Sequence, residues 1–568
     1  MKLTRREVFA RGSMVLSGAA AIQGRAFAQS AEPEYVETKT IYGRVRGAKT
    51  GNLTTFKGIP YAGSASGANR FKAAAPLKPW TDVRGALQFG APSPQPGQRR
   101  GEPPQDENCQ FLNVWTPAAD GRRRPVMFYS HGGGFTTGSA ASGYQDGGNL
   151  ARAYGVVVVA TNHRLGIAGY LYLGELGGEE YATSGNQGLE DIRDGLKWVH
   201  DNIEVFGGDP GNVMIFGESG GGSKTSCLYA MPSAAPYFHK ASIESGPGIR
   251  MMPRDSAAET TLMVLKHLGI EKSDWRKLLE VSTDKLLEAQ TGLGSSGGGP
   301  LGMNGGRKGM GGGSRPGGFG PVVDGAILPH HPFEPEAPAI SKNKPLMVGY
   351  NHDETVFFFQ QQRNIEVFTL TEESLKARLA KEFSGNADAI YEAYHKSRPA
   401  AAPSQLYVAI TTARMIGIGA VTIAERKYAQ HGAPAFAYIF THASDAVVPG
   451  TQFKQGSPHA MEIRYKFNNV QPAGTQQGSP PPSQQGANGA PGGRGGGRGA
   501  SPEDVKAGHN MAELWSTFAR TGHPAAHGQP EWPPYTTEKR ATMQIDSQCE
   551  VVNDPNPLER QLWARLDP

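Results

Sequence analysis

The chain has 568 residues, 38% hydrophobic and 19% charged, with a formal net charge of +5, so it is long and apolar enough to bury a large core and cannot be disordered throughout. Its three cysteines, Cys109, Cys227 and Cys549, exclude a disulfide framework. The first 28 residues carry five basic side chains against one acid and leave +1 on the remainder, so no electrostatic partner such as nucleic acid is implied.

In chain order, Arg5-Arg6, an apolar stretch from Met14 to Ile22 and Ala26-Phe27-Ala28 predict an export signal over residues 1–28. The arginine pair points to the twin-arginine route, which carries folded proteins. The apolar stretch is well short of the ~20 residues of a spanning helix, so no stable membrane anchor is expected after cleavage. The expected location is periplasmic or extracellular. Residues 29–568 then read as one domain. Pro125 to Tyr129 is a strand running into His131-Gly132-Gly133-Gly134, and Val156 to Ala160 is a fully buried strand. Leu189, Ile192, Leu196, Val199 and Ile203 recur at helical spacing ahead of another strand, Val213 to Phe216, which enters Gly217-Glu218-Ser219-Gly220-Gly221.

Further on, Pro345 to Tyr350 is a buried strand ending in Asn351-His352-Asp353-Glu354, and Thr371 to Ser374 starts a helix that Ser384-Gly385-Asn386 ends before a second one over Ala387–Tyr394. Ala435 to Phe440 is the next strand, followed after a loop by Gly456-Ser457-Pro458-His459. Two low-complexity segments, 292–320 and 471–501, lack the apolar residues to offset their ordering entropy and read as disordered insertions. The Arg/Gly tract Gly493–Gly499 has only two arginines and no interleaved aromatic, which argues against a single-strand RNA site. Alternating strands and helices predict an α/β fold: a central, mostly parallel sheet flanked by helices.

The chemistry rests on two glycine loops. A serine at the tip of a strand-to-helix turn is held at positive φ, which requires small neighbours such as Gly217 and Gly221 and exposes its hydroxyl, so Ser219 is the candidate nucleophile. The loop after the earlier strand aims the N–H groups of Gly133 and Gly134, with that of Gly220, at an oxyanion. A serine nucleophile needs a base and an orienting acid, which follow it in the order acid, then histidine. Spacing leaves Asp353 and Glu354 open as the acid, and His352, His442 and His459 open as the base. No His-Glu-x-x-His motif occurs, and neither metal nor cofactor is expected.

The run Phe56-Lys57-Gly58-Ile59-Pro60-Tyr61-Ala62, the pairs Arg70-Phe71 and Pro79-Trp80, the stretch Glu107 to Pro117, Asn162-His163-Arg164-Leu165-Gly166 and Trp515 to Gly522 stand in the order found in type-B carboxylesterases. The chain resembles that cholinesterase-like branch of the α/β-hydrolases from about Tyr42 to about Asp546. The resemblance implies Ser219 as nucleophile, Glu354 as acid, His459 as base, and Gly133, Gly134 and Gly220 as oxyanion donors. It also implies that Ser245 supports the acid and that Glu218 biases the electrostatics beside the nucleophile. Two departures stand out. The family usually has Ala where this chain has Gly220. It also usually closes a disulfide between the cysteine at position 109 and an upstream one, where this chain has only Ala91-Pro92-Ser93-Pro94-Gln95; an Arg70–Glu107 ion pair is the available substitute.

The expectation is therefore an exported serine carboxylesterase acting on small-molecule esters through an acyl-enzyme. A same-fold hydrolase of amides, thioesters or lactones is the first alternative, since pocket shape selects the leaving group. A non-catalytic relative would lack the nucleophile that Ser219 supplies. Nothing in the sequence sets the oligomeric state.

Overall fold

A computed structural model describes residues 34–99, 101–296, 316–470, 472 and 500–566. The segment read as an export signal and the bulk of the two low-complexity segments lie outside the described residues. The ends of those segments are inside. The helix Thr283–Ser296 carries through the start of the first, and Phe319 near its end is buried, so both ends of that segment belong to the ordered fold. At the end of the second, Ser501 caps the helix Pro502–Thr521, its hydroxyl accepting from Asp504 N at 3.0 Å.

The central sheet is built from β1 (Glu34–Thr40), β2 (Gly43–Thr50), β3 (Leu53–Pro60), β4 (Phe111–Thr116), β5 (Arg124–Ser130), β6 (Val157–Thr161), β7 (Gly208–Glu218), β8 (Lys240–Glu244), β9 (Leu346–Asn351), β10 (Ala435–Phe440), β11 (Ala541–Ile545) and β12 (Glu550–Asn553). Their spatial order is β1-β2-β3-β4-β6-β5-β7-β8-β9-β10-β11-β12. Along this order the two ends pair antiparallel and from β6 through β11 every pairing is parallel, while a short further strand, Arg84–Gly85, adds to β2 in parallel. Parallel strands are joined by helical crossovers that cover both faces, which is why the central strands read as unbroken apolar runs.

Alternate residues of one strand enter opposite cores. Phe128 and Ile215 pack with Leu189, Ile192 and Leu196 of the helix Gln187–Asn202 on one face. Their neighbours Met127, Met214 and Phe216 pack with Met511, Trp515 and Phe518 of the helix Pro502–Thr521 on the other. A third cluster, with Phe359, Leu375, Leu379, Ile390 and Tyr407, lies under the helices that follow β9. Thr371 caps the first long helix there, Glu372–Glu382, and a second spans Ala387–Ser397.

All three cysteines are buried and free. Where the resemblance leads one to expect a disulfide near Cys109, two other devices hold the loop. Arg70 and Glu107 form a two-pronged pair, Nε–Oε2 2.9 Å and Nη2–Oε1 2.5 Å, mostly out of solvent, while Arg70 Nη1 donates to the Leu279 and Val281 carbonyls. Gln95 is buried and clamps Gly138 from both sides, Nε2 donating to its carbonyl at 2.9 Å and Oε1 accepting its N–H at 2.8 Å.

Candidate active site

The turn from β7 into the helix Gly220–Ala230 places Ser219 at φ 59°, ψ −123°. That conformation is costly for a side-chain-bearing residue and survives where the surroundings over-determine it. Glycine neighbours permit it: a Cβ on Gly217 would lie 2.5 Å from the Gly221 carbonyl carbon. The Ser219 N–H is fixed by the Glu244 carbonyl at the end of β8, 2.9 Å away.

His459, in the loop after β10, reaches back so that Nε2 lies 2.8 Å from Ser219 Oγ and Nδ1 lies 2.5 Å from Glu354 Oε2. A carboxylate can only accept, so Nδ1 carries the proton and Nε2 accepts from the serine. Glu354 stands just past the end of β9, fully buried, its second oxygen accepting the Asn351 N–H at 2.7 Å. The Ser245 hydroxyl has no well-formed hydrogen bond among the described residues, yet it lies close enough to Glu354 to favour the carboxylate. Thus Ser219, Glu354 and His459 meet, and Ser245 and Glu218 flank them.

The alternatives left open by spacing go elsewhere. Asp353 accepts from Ser457 N at 2.9 Å and pairs with the part-exposed His352 at 3.0 Å, tying down the histidine-bearing loop. His442 sits between Asp546, 2.6 Å from Nδ1, and Asp504, 3.0 Å from Nε2.

The loop after β5 carries Gly133 at φ 85° and Gly134 at φ 63°. Neither N–H meets an acceptor among the described residues, which leaves both free to face a ligand. The loop presses on the nucleophile turn: a Cβ on Gly220 would fall inside contact distance of the Gly134 backbone. The departure to glycine at 220 and the position of the loop therefore explain each other.

Sequence reasoning missed an acidic cluster behind the histidine. Glu218 Oε1 lies 3.2 Å from His459 Nε2, and Glu218, Glu244, Glu354 and Glu462 are all buried. Burial pushes the Glu218 carboxyl well up, against the pull of His459. Burial alone would depress the imidazole, but Glu218 and Glu354 together raise it above its usual range. Lys466, wholly buried, contacts Glu244 and lies 3.4 Å from Glu462, whose other oxygen takes the Asn351 amide at 2.6 Å. The rings of Phe357 and Phe358 stand 5.5 and 4.6 Å from the imidazole and help exclude water from it.

Comparison with known proteins agrees with this architecture. The model of the carboxylesterase family matches residues 32–563. The para-nitrobenzyl esterase of Bacillus subtilis (strain 168) is 32% identical over 528 residues, 92% of this chain and 97% of its own length. The fumonisin B1 esterase of Sphingopyxis macrogoltabida is 31% identical, covering 89% of this chain and 85% of its own. Among solved structures, a carboxylesterase of Geobacillus stearothermophilus superposes with a TM-score of 0.76 at 32% identity, covering 93% of this chain and 99% of that one. The chain belongs to the carboxylesterase family, of type B, and is a carboxylic-ester hydrolase of the α/β-hydrolase fold.

Proposed function

We propose that the protein is an exported serine carboxylesterase in which Ser219, His459 and Glu354 act as a triad and Gly133, Gly134 and Gly220 form the oxyanion hole. Ser219 Oγ attacks the ester carbonyl as its proton passes to His459 Nε2, and Glu354 steadies the imidazolium through Nδ1–H. The three N–H groups take the negative charge of the tetrahedral intermediate. The imidazolium returns the proton to the departing alcohol, and water attacks the acyl-enzyme through the same histidine.

The observation that carries the reading is the single imidazole bridging Ser219 Oγ and Glu354 Oε2. The two unpaired loop N–H groups support the oxyanion assignment. Export is supported by the sequence of residues 1–28 alone. Amino-terminal analysis of protein recovered outside the cytoplasm is expected to begin after Ala28.

The mechanism is tested by Ser219→Ala, expected to fold normally and to lose on the order of 10⁶ in kcat on a p-nitrophenyl ester. Retention of even about a tenth of the activity would refute it. For the acid, Glu354→Gln is expected to damage kcat far more than Asp353→Asn; the reverse order would move the role to Asp353. Para-nitrobenzyl esters, named for the Bacillus relative, belong in the first substrate panel beside amides, thioesters and lactones.

A further inference from the structure

The helix that starts at the nucleophile buries a lysine the mechanism above does not use. Lys224, five residues after Ser219, is fully inaccessible. Its ammonium donates to the His131 carbonyl at 2.9 Å, at the point where the Gly132-Gly133-Gly134 loop leaves β5. The Phe135 ring lies 5.9 Å from Nζ. No carboxylate pairs with Lys224 among the described residues, and the neighbouring Cys227 thiol is held protonated by its burial. Two more buried groups face it, His131 and His163, stacked 4.6 Å apart and both held neutral, first by burial and then by the lysine's charge. Arg99 adds a weaker positive influence on His131.

A buried ammonium without a counter-ion is expensive for the fold, and an apolar side chain of the same length would be more stable there. What the charge can do in return depends on where it sits. It pins the peptide from which Gly133 and Gly134 follow, the loop that would receive the full negative charge created during the reaction. In a water-excluded setting a fixed positive charge acts on that developing charge far more strongly than on a neutral ester.

We propose that Lys224 is a positioning and electrostatic residue of the oxyanion hole: its ammonium anchors the His131 carbonyl and sets a positive charge, paired with no carboxylate among the described residues, where the Gly132-Gly133-Gly134 loop leaves β5, favouring the oxyanion-bearing state over the ester ground state. This rests on reading that loop as the oxyanion hole. Burial pushes the ammonium down to about 7, so the charge is present below about that pH and lost above it.

The test uses the full-length enzyme with Lys224→Met and Lys224→Gln. Lys224→Met keeps the bulk and is expected to melt at or above the wild-type temperature, to retain labelling of Ser219 by a fluorophosphonate, and to lose about tenfold or more in kcat with KM within about twofold. Binding of a trifluoromethyl ketone, which forms a tetrahedral oxyanion, is expected to weaken by the same factor as kcat, while inhibition by the product alcohol stays unchanged. Lys224→Gln, which can still donate to His131 but carries no charge, is expected to recover loop placement without the full rate. Unchanged kcat in Lys224→Met, or kcat and melting temperature falling together, or failure to fold, would each overturn the proposal by making the lysine dispensable or merely structural. Full activity in Lys224→Met alongside an inactive Ser219→Ala would remove this inference and leave the triad standing.

Discussion

The glycine at 220 is the residue whose replacement tests how closely loop and nucleophile turn fit. A methyl group there would enter the Gly134 backbone, which has no side chain to swing aside. Gly220→Ala is therefore expected to move the oxyanion loop and lower kcat by about tenfold or more, with the donor N–H itself intact. Activity equal to wild type would show that the loop yields freely. Glu218 offers a test of charge: its proximity to Nε2 raises the imidazole's affinity for a proton. Glu218→Gln removes that influence, so the acid limb of the kcat/KM profile is expected to shift to lower pH, by about one unit. An unchanged acid limb would mean that Glu218 is uncharged in the working enzyme. At this scale the sequence was legible where a residue must have one backbone shape, as at Ser219 and the two glycine loops. It was not legible where side chains from distant elements converge. Asp353 and Glu354 are neighbours in sequence, and only the return of the loop carrying Ser457 and His459 decides that one binds a backbone N–H and the other an imidazole.

Among elements, the strands and helices of the central sheet follow from apolar periodicity, and β10 spans the predicted residues Ala435–Phe440. Periodicity says nothing about what secures a loop. The segment before Cys109 contains Gln95, whose amide meets Gly138, 43 residues away, in two hydrogen bonds. That contact ties it to the far end of the loop bearing Gly133 and Gly134. Gln95→Leu leaves a buried N–H and carbonyl unpaired, which costs about 1–3 kcal/mol for each group. A drop in melting temperature accompanied by a loss of kcat is expected by differential scanning calorimetry and steady-state kinetics. A drop in stability with kcat unchanged would confine the clamp to a structural role.

For the molecule as a whole, His442 joins three parts of the chain: the end of β10, the cap of the helix Pro502–Thr521 and the end of β11. Burial works to neutralise it, but Asp546 and Asp504 hold its affinity for a proton above the ordinary value. A group raised in the folded state stabilises fully below its unfolded pKa, near 6.5, and that contribution is lost as pH climbs through the folded value. The two aspartates are shifted down, burial notwithstanding, so their contribution holds above about pH 4 and fades as pH falls further. The melting-temperature gap between wild type and His442→Gln is thus expected to be widest at about pH 4.5–6.5 and to close toward pH 9. A gap independent of pH would assign the effect to packing.

The three buried thiols have a practical corollary. Chain closure here depends on amides, an arginine pair and a large core, none of which responds to an electron donor. The cysteines therefore call for neither an oxidant nor a disulfide isomerase, and the fold can be completed in a reducing cytosol. Enzyme made in the bacterial cytoplasm and handled in dithiothreitol is expected to match, in specific activity and melting temperature, enzyme made and kept under air.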